Sequence, residues 1–137
     1  MRSAGGLGTL LLAVVVALTG CGGSKGVSAP TSPCASPLPI DVTPALPGNF
    51  PLPADGTPYG HQRHGGTTIE DVQVTAAADE VTNVRDDELN SLRAGAYTTN
   101  PTGPTTGTFT GPHAGSIEVL TAAGCPGEAI VRITITR

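Results

Sequence analysis

Tryptophan is absent from the 137 residues, and aromatic side chains are scarce, with two Phe and two Tyr. A packed core must therefore come mostly from Val, Ile and Leu, and a small domain of that kind is marginally stable unless something staples it. Basic residues are few: seven Lys and Arg face eleven Asp and Glu, for a formal net charge of −4, and no basic run occurs. This argues against a nucleic-acid partner and against electrostatic docking on anionic lipid. Long apolar runs are lacking too. Leu10 to Leu18 is nine residues, whereas a membrane-spanning helix needs roughly 20. Serine-hydrolase chemistry needs Ser, His and Asp held together, and no Gly-x-Ser-x-Gly elbow between a strand and a helix is there to suggest it. No glycine pattern follows a strand into a helix as a phosphate loop requires.

What the N-terminus does carry is a positive Arg2, the short apolar run, and then Leu18-Thr19-Gly20-Cys21. A run of this length between a basic start and small residues fits a signal-peptide core. Leu three residues before the cysteine, with Gly20 immediately before it, resembles the lipobox of bacterial lipoproteins. The resemblance implies cleavage ahead of Cys21 and a diacylglyceryl thioether on its sulfur. Two acyl chains, at ~0.8 kcal/mol per buried methylene, suffice for stable anchoring. Without residues 1–20 the chain keeps six basic and eleven acidic residues, a formal charge of −5.

Export leaves Cys34 and Cys125. In an oxidising compartment an even pair reads as a disulfide, constraining the unfolded chain by about 4–5 kcal/mol in the entropy model. The rival, a shared metal site, lacks the further ligands zinc wants nearby. From Gly22 the chain opens as a flexible Gly/Ser leash. Prolines then recur from Pro30 to Pro58, each fixing φ and disfavouring helix before it. Residues 21–57 are thus expected to be a disordered, extended tether, with Phe50 and Leu52 packing onto the domain that follows.

The domain is expected over 58–137. Gly65-Gly66 suits a two-residue hairpin turn between a polar strand before it and Thr67 to Thr75 after it, where Ile69 falls out of step with Val72 and Val74 and suggests a bulge or a strand that begins late. Ala76 to Ala94 reads as the one helix, with Thr75 as N-cap and Gly95 as its stop. Stepping 100° per residue from Val81 puts Val84 at about −60°, Leu92 at about +20° and Leu89 at about +80°, one apolar arc. Asp86-Asp87-Glu88 lacks the alternating ligands of a calcium loop and reads as a solvated helix face. Residues 98–114 read as an irregular connection holding a short strand around Phe109. Gly115 to Ala122 and Glu128 to Thr136 are the clearest strands. Pairing Ala122 with Glu128 sets Ile117 opposite Ile133, Val119 opposite Val131, Glu118 opposite Arg132 and Leu120 opposite Ile130. Apolar meets apolar and acid meets base together, and a one-residue slip would undo both.

These elements predict an α+β fold, one helix on a small antiparallel sheet in ββαββ-like order, behind a signal peptide and Pro-rich tether. From Phe50 onward the chain is similar to small actinobacterial-type lipoproteins, although Leu92-Arg93-Ala94-Gly95-Ala96-Tyr97 departs from their usual Leu-x-x-x-Gly-aromatic ending. His61, His64 and His113 could in principle gather a transition metal, but an i, i+3 pair on an extended segment points to opposite faces. No cofactor, catalytic residue or metal ligand is therefore expected. The expected function is a non-catalytic binding or structural module of the cell envelope. It is held on the extracytoplasmic face of the membrane through Cys21, with an envelope protein or the cell wall as partner and no nucleic acid. The alternatives are histidine-based metal handling and an enzyme without a recognisable motif.

Overall fold

Two strands at the C-terminal end pair in the register that their side chains demand. In the computed structural model, which describes residues 38–41, 43, 45–122 and 124–137, Ile117 lies opposite Ile133, Glu118 opposite Arg132, Val119 opposite Val131 and Leu120 opposite Ile130. These belong to β5 (Ala114–Thr121) and β6 (Glu128–Thr136). Around them stand β1 (Thr57–His64), β2 (Thr67–Thr75), α1 (Val81–Ala94), β3 (Thr98–Pro101) and β4 (Thr106–Thr110). The strands form one six-stranded sheet in the order β1-β2-β6-β5-β4-β3, with every pairing antiparallel. The helix covers one face, so the α+β class holds, but the sheet has six strands where a ββαββ order has four. The signal peptide and the cysteines at 21 and 34 lie outside the described residues.

The extra strands are β3 and β4, which occupy most of the stretch expected to be irregular. Their Thr, Gly and Asn side chains look loop-like because β3 is an edge strand with little to bury. It is four residues long and ends at Pro101, and a short, proline-ended edge resists pairing with another chain. Phe109 on β4 is the core anchor expected of it, 1% exposed. Its ring lies over Gly115, its cross-strand partner. A Cβ at Gly115 would stand 2.7 Å from the phenyl ring and 1.9 Å from the Thr134 carbonyl oxygen, so only glycine fits.

The helix begins at Val81, five residues later than expected, and Thr75 is not its cap. The Ala76 N–H donates to the Gly127 carbonyl at 2.9 Å, which prolongs the strand pairing and overrides the helical preference of Ala76-Ala77-Ala78. At the other end the stop comes where expected, for a different reason. Gly95 has an ordinary φ of −85°, and it is Ala96 that takes the left-handed turn at φ 70°. Tyr97 N–H then donates to Leu92 O and Ala96 N–H to Arg93 O, the two bonds of a Schellman motif. A side chain at Gly95 would instead meet Pro51, whose Cγ lies 2.5 Å from the added Cβ.

That contact shows where the tether ends. Pro39 and Asp41 hydrogen-bond to β1 through His61 N–H and Tyr59 O, and Ala45, Leu46 and Phe50 are buried. The expectation of a disordered tether through residue 57 is therefore corrected: the chain joins the domain by Pro39. Phe50, Tyr97 and Phe109 meet pairwise with ring centroids 5.5 Å apart, which gathers three of the four aromatic side chains at one point. Val72, Val74, Ile117, Val119, Val131 and Ile133 complete this core beneath Leu89 and Leu92. The bulge expected in β2 is absent, since β2 pairs with β6 without a break. The irregularity falls in β1, between Pro58 and Gly60. Ile69 points to the outer face, where Ile130 is 3% exposed. The cover over Ile130 is Ala122 and Cys125 from the β5–β6 connection, with Leu120 beside them, and not the Phe50–Leu52 segment. No helix among the described residues is long and apolar enough to cross a membrane.

Candidate functional site

On the helical face, three pieces of chain leave a groove of about 440 Å³ between them. Pro53, Ala54 and Asp55 form one wall, Val84, Asp87, Glu88 and Ser91 of α1 the other, and Val74 and Thr75 of β2 the base. The local sequence explains the shape. Pro53 begins a tight turn in which Gly56 N–H donates to the Pro53 carbonyl at 2.9 Å. Gly56 sits so close to Val72 that a Cβ there would stand 2.6 Å from its Cγ1. The turn is thereby held against β2 and kept short of the helix.

Glu88 decides what this groove can do. It is 1% exposed, and neither carboxyl oxygen has a hydrogen-bond partner. Burial alone pushes its pKa up to about 8, so the side chain is a neutral carboxylic acid at pH 7. This corrects the reading of Asp86-Asp87-Glu88 as a solvated face. Asp86 and Asp87 are exposed, but Glu88 is turned inward. The signal was present in the helical phase, because the same 100° steps place Glu88 at about −20°, inside the apolar arc between Val84 and Leu92. Arg85 also falls within that arc and escapes it, its guanidinium reaching the Gly103 carbonyl and Asp86.

A second buried carboxylate serves the fold. Glu70 of β2 is 1% exposed, and its Oε2 accepts the N–H groups of Ala45 at 2.6 Å and Leu46 at 3.0 Å. Arg63 clasps the same segment by donating to the Ala45 carbonyl at 2.8 Å. Desolvation raises the Glu70 pKa, and the two backbone bonds work against that rise. On the outer face Asp71, fully buried, accepts two bonds from Arg132, Nε to Oδ1 at 2.8 Å and a terminal nitrogen to Oδ2 at 3.0 Å. The pair holds the Arg132 pKa above its usual value. Glu118 is opposite Arg132 as expected, but the guanidinium commits its fork to Asp71 on the other neighbouring strand. Finding this from sequence needed the β2–β6 pairing, which strand order alone does not reveal.

The histidines are not brought together. His61 and His64 lie on β1 and His113 in the β4–β5 turn. His61 stands 3.8 Å from Asp41, and among the described residues no three His, Cys, Asp or Glu side chains are placed to hold a metal ion. Cys125 is buried at the β5–β6 connection, and its expected partner Cys34 lies outside the described residues. So does Ser24, which stands in a Gly-x-Ser-x-Gly string from Gly22 to Gly26. That motif carries catalysis only on a strand–turn–helix elbow.

No known family, no curated protein and no solved structure matches this chain.

Proposed function

We propose that the protein is a non-catalytic binding module of the cell envelope, carried on the extracytoplasmic face of the membrane by lipid on Cys21, with the groove over Glu88 as its binding site. Glu88 carries the binding reading. A buried carboxyl with no partner costs the fold free energy, and this one lies closed off beneath the lining of a groove, so a turn of its side chain would present that unmet capacity to a ligand. The outer sheet face is a poorer candidate. Its central charges satisfy one another, and among the described residues the exposed large hydrophobic side chain is Ile40, on the entering segment. The groove lining supplies acids, hydroxyls and apolar side chains, a combination suited to holding a ligand.

The anchor rests on Leu18 to Cys21. Cys21→Ala is expected to abolish lipid labelling and leave unprocessed precursor, whereas the parent protein partitions with membranes. Labelling of the variant at the parent level would sink the anchor. Export also places Cys34 and Cys125 under oxidising conditions, and we take them to be bonded. Intact mass should rise by about two hydrogens on reduction, the stoichiometry of one S–S bond. Two alkylatable thiols in unreduced protein would refute the pairing.

A further inference from the structure

Resting on that reading of the groove, we propose that its ligand is an alkylammonium ion, whose charged head pairs with Glu88 and whose hydrocarbon body lies on Val74, Val84 and Pro53. Four observations converge on this class. Glu88 is buried, lines the groove and has no hydrogen-bond partner for either oxygen, and orphaned buried groups of this kind are rare in folded proteins. The other ionisable side chains on the lining are Asp55 and Asp87, both acids, and Arg85 is turned away to Gly103 and Asp86. The local field therefore favours a cation and opposes an anion.

The remaining walls are apolar, formed by Pro53, Ala54, Val74 and Val84. A bare metal ion would gain nothing from them, and hard cations need several convergent oxygen ligands, which no trio of described residues provides. A small organic cation uses both features, since its methylenes replace water on the walls while its N–H groups fill the empty acceptors of Glu88, whose closed-off oxygens reach it by a turn of the side chain into the groove. Ser91 on the helical wall and Thr75 at the base offer hydroxyls for the ammonium protons left over. Because Glu88 begins as a neutral acid at pH 7, pairing must expel its proton. The balance is one ammonium and one carboxylic acid in, and one ammonium–carboxylate pair and one solvent proton out.

Titration calorimetry of the full lipidated protein in a neutral maltoside detergent, at pH 7 with n-butylammonium chloride, tests this. The expected result is saturable binding with close to one proton released per site, read from heats that differ between phosphate and MOPS, neither of them a primary ammonium, in proportion to their ionisation enthalpies. Neutral n-butanol should bind at least tenfold more weakly and butanoate not at all. Glu88→Gln should lose at least tenfold in butylammonium affinity and all of the proton release. The comparison of ammonium with alcohol needs no variant, so it stands whatever Glu88→Gln does to folding. Butanol binding as well as butylammonium, or ammonium binding without proton release, overturns the proposal and leaves a groove for neutral ligands. Silence from all three probes overturns the proposal and the groove together.

Discussion

Phe109→Ala is expected to cost ~3–5 kcal/mol, the range for removing a buried aromatic ring from a core. Three features put it at the upper end. Phe109 is 1% exposed, its ring meets both Phe50 and Tyr97 at 5.5 Å, and its face closes over Gly115, where no side chain can move in to fill the space. It also joins three regions distant in sequence: the entering segment, the helix end and the β4–β5 hairpin. A domain of this size holds only about 5–15 kcal/mol in total. Urea unfolding should therefore show a midpoint lowered by a large fraction of the parent value, with loss of protection in residues 45–53 as well as in β4. A loss under ~1 kcal/mol would mean that the aromatic cluster is not packed as described.

The second large effect is on pH dependence, and Glu88 sets its sign. The folded-state pKa is raised from 4.5 to about 8. Below pH 4.5 the group is protonated in both states, and keeping it neutral in the fold carries no pH-linked penalty. Between the two values the unfolded chain has released a proton that the native chain retains, so stability falls as pH rises, at a slope approaching ~1.4 kcal/mol per pH unit. The loss is complete once pH passes the folded value. Glu70, also raised by burial, adds in the same direction. Glu88→Gln removes the larger contribution. Denaturant titrations of parent and variant should differ little at pH 4 and diverge through pH 8, the variant being the more stable at the alkaline end. Parallel curves over that range would contradict a buried, unpartnered carboxyl.

How much of this was legible in the sequence depended on whether local pattern and tertiary contact agreed. In β5 and β6 they did. Alternating Ile and Val together with Glu118 and Arg132 admit one register, and the structure has it. Leu89 and Leu92 faced the core for the same reason. In the Ala76–Glu80 stretch they disagreed: helix propensity was outweighed by a single ladder bond to Gly127. Thr98 to Gly107 reads as irregular because an exposed edge strand has no apolar alternation to display, and only Thr108-Phe109-Thr110 shows itself as strand. Glu88 was hidden by its neighbours, since three acids in a row suggest solvent, although its angular position gave it away. Residues 45–53 read as tether because proline content speaks of backbone stiffness and not of burial. Phe50 and Leu52 are the residues that hint that this segment packs. The union of Asp71 with Arg132 was beyond sequence reach, being a consequence of which strand lies beside β6.

The most direct measurement is a carbon-13 NMR titration of the Glu88 side-chain carboxyl in protein labelled at glutamate, assigned by comparison with Glu88→Gln. A midpoint near pH 8, far above the 4.5 of an ordinary glutamate, is the predicted result. It would place a neutral acid in the groove at physiological pH, ready to receive a cation. A midpoint near 4.5 would mean that Glu88 is solvated or already paired, and the groove would lose the feature on which its reading as a binding site depends.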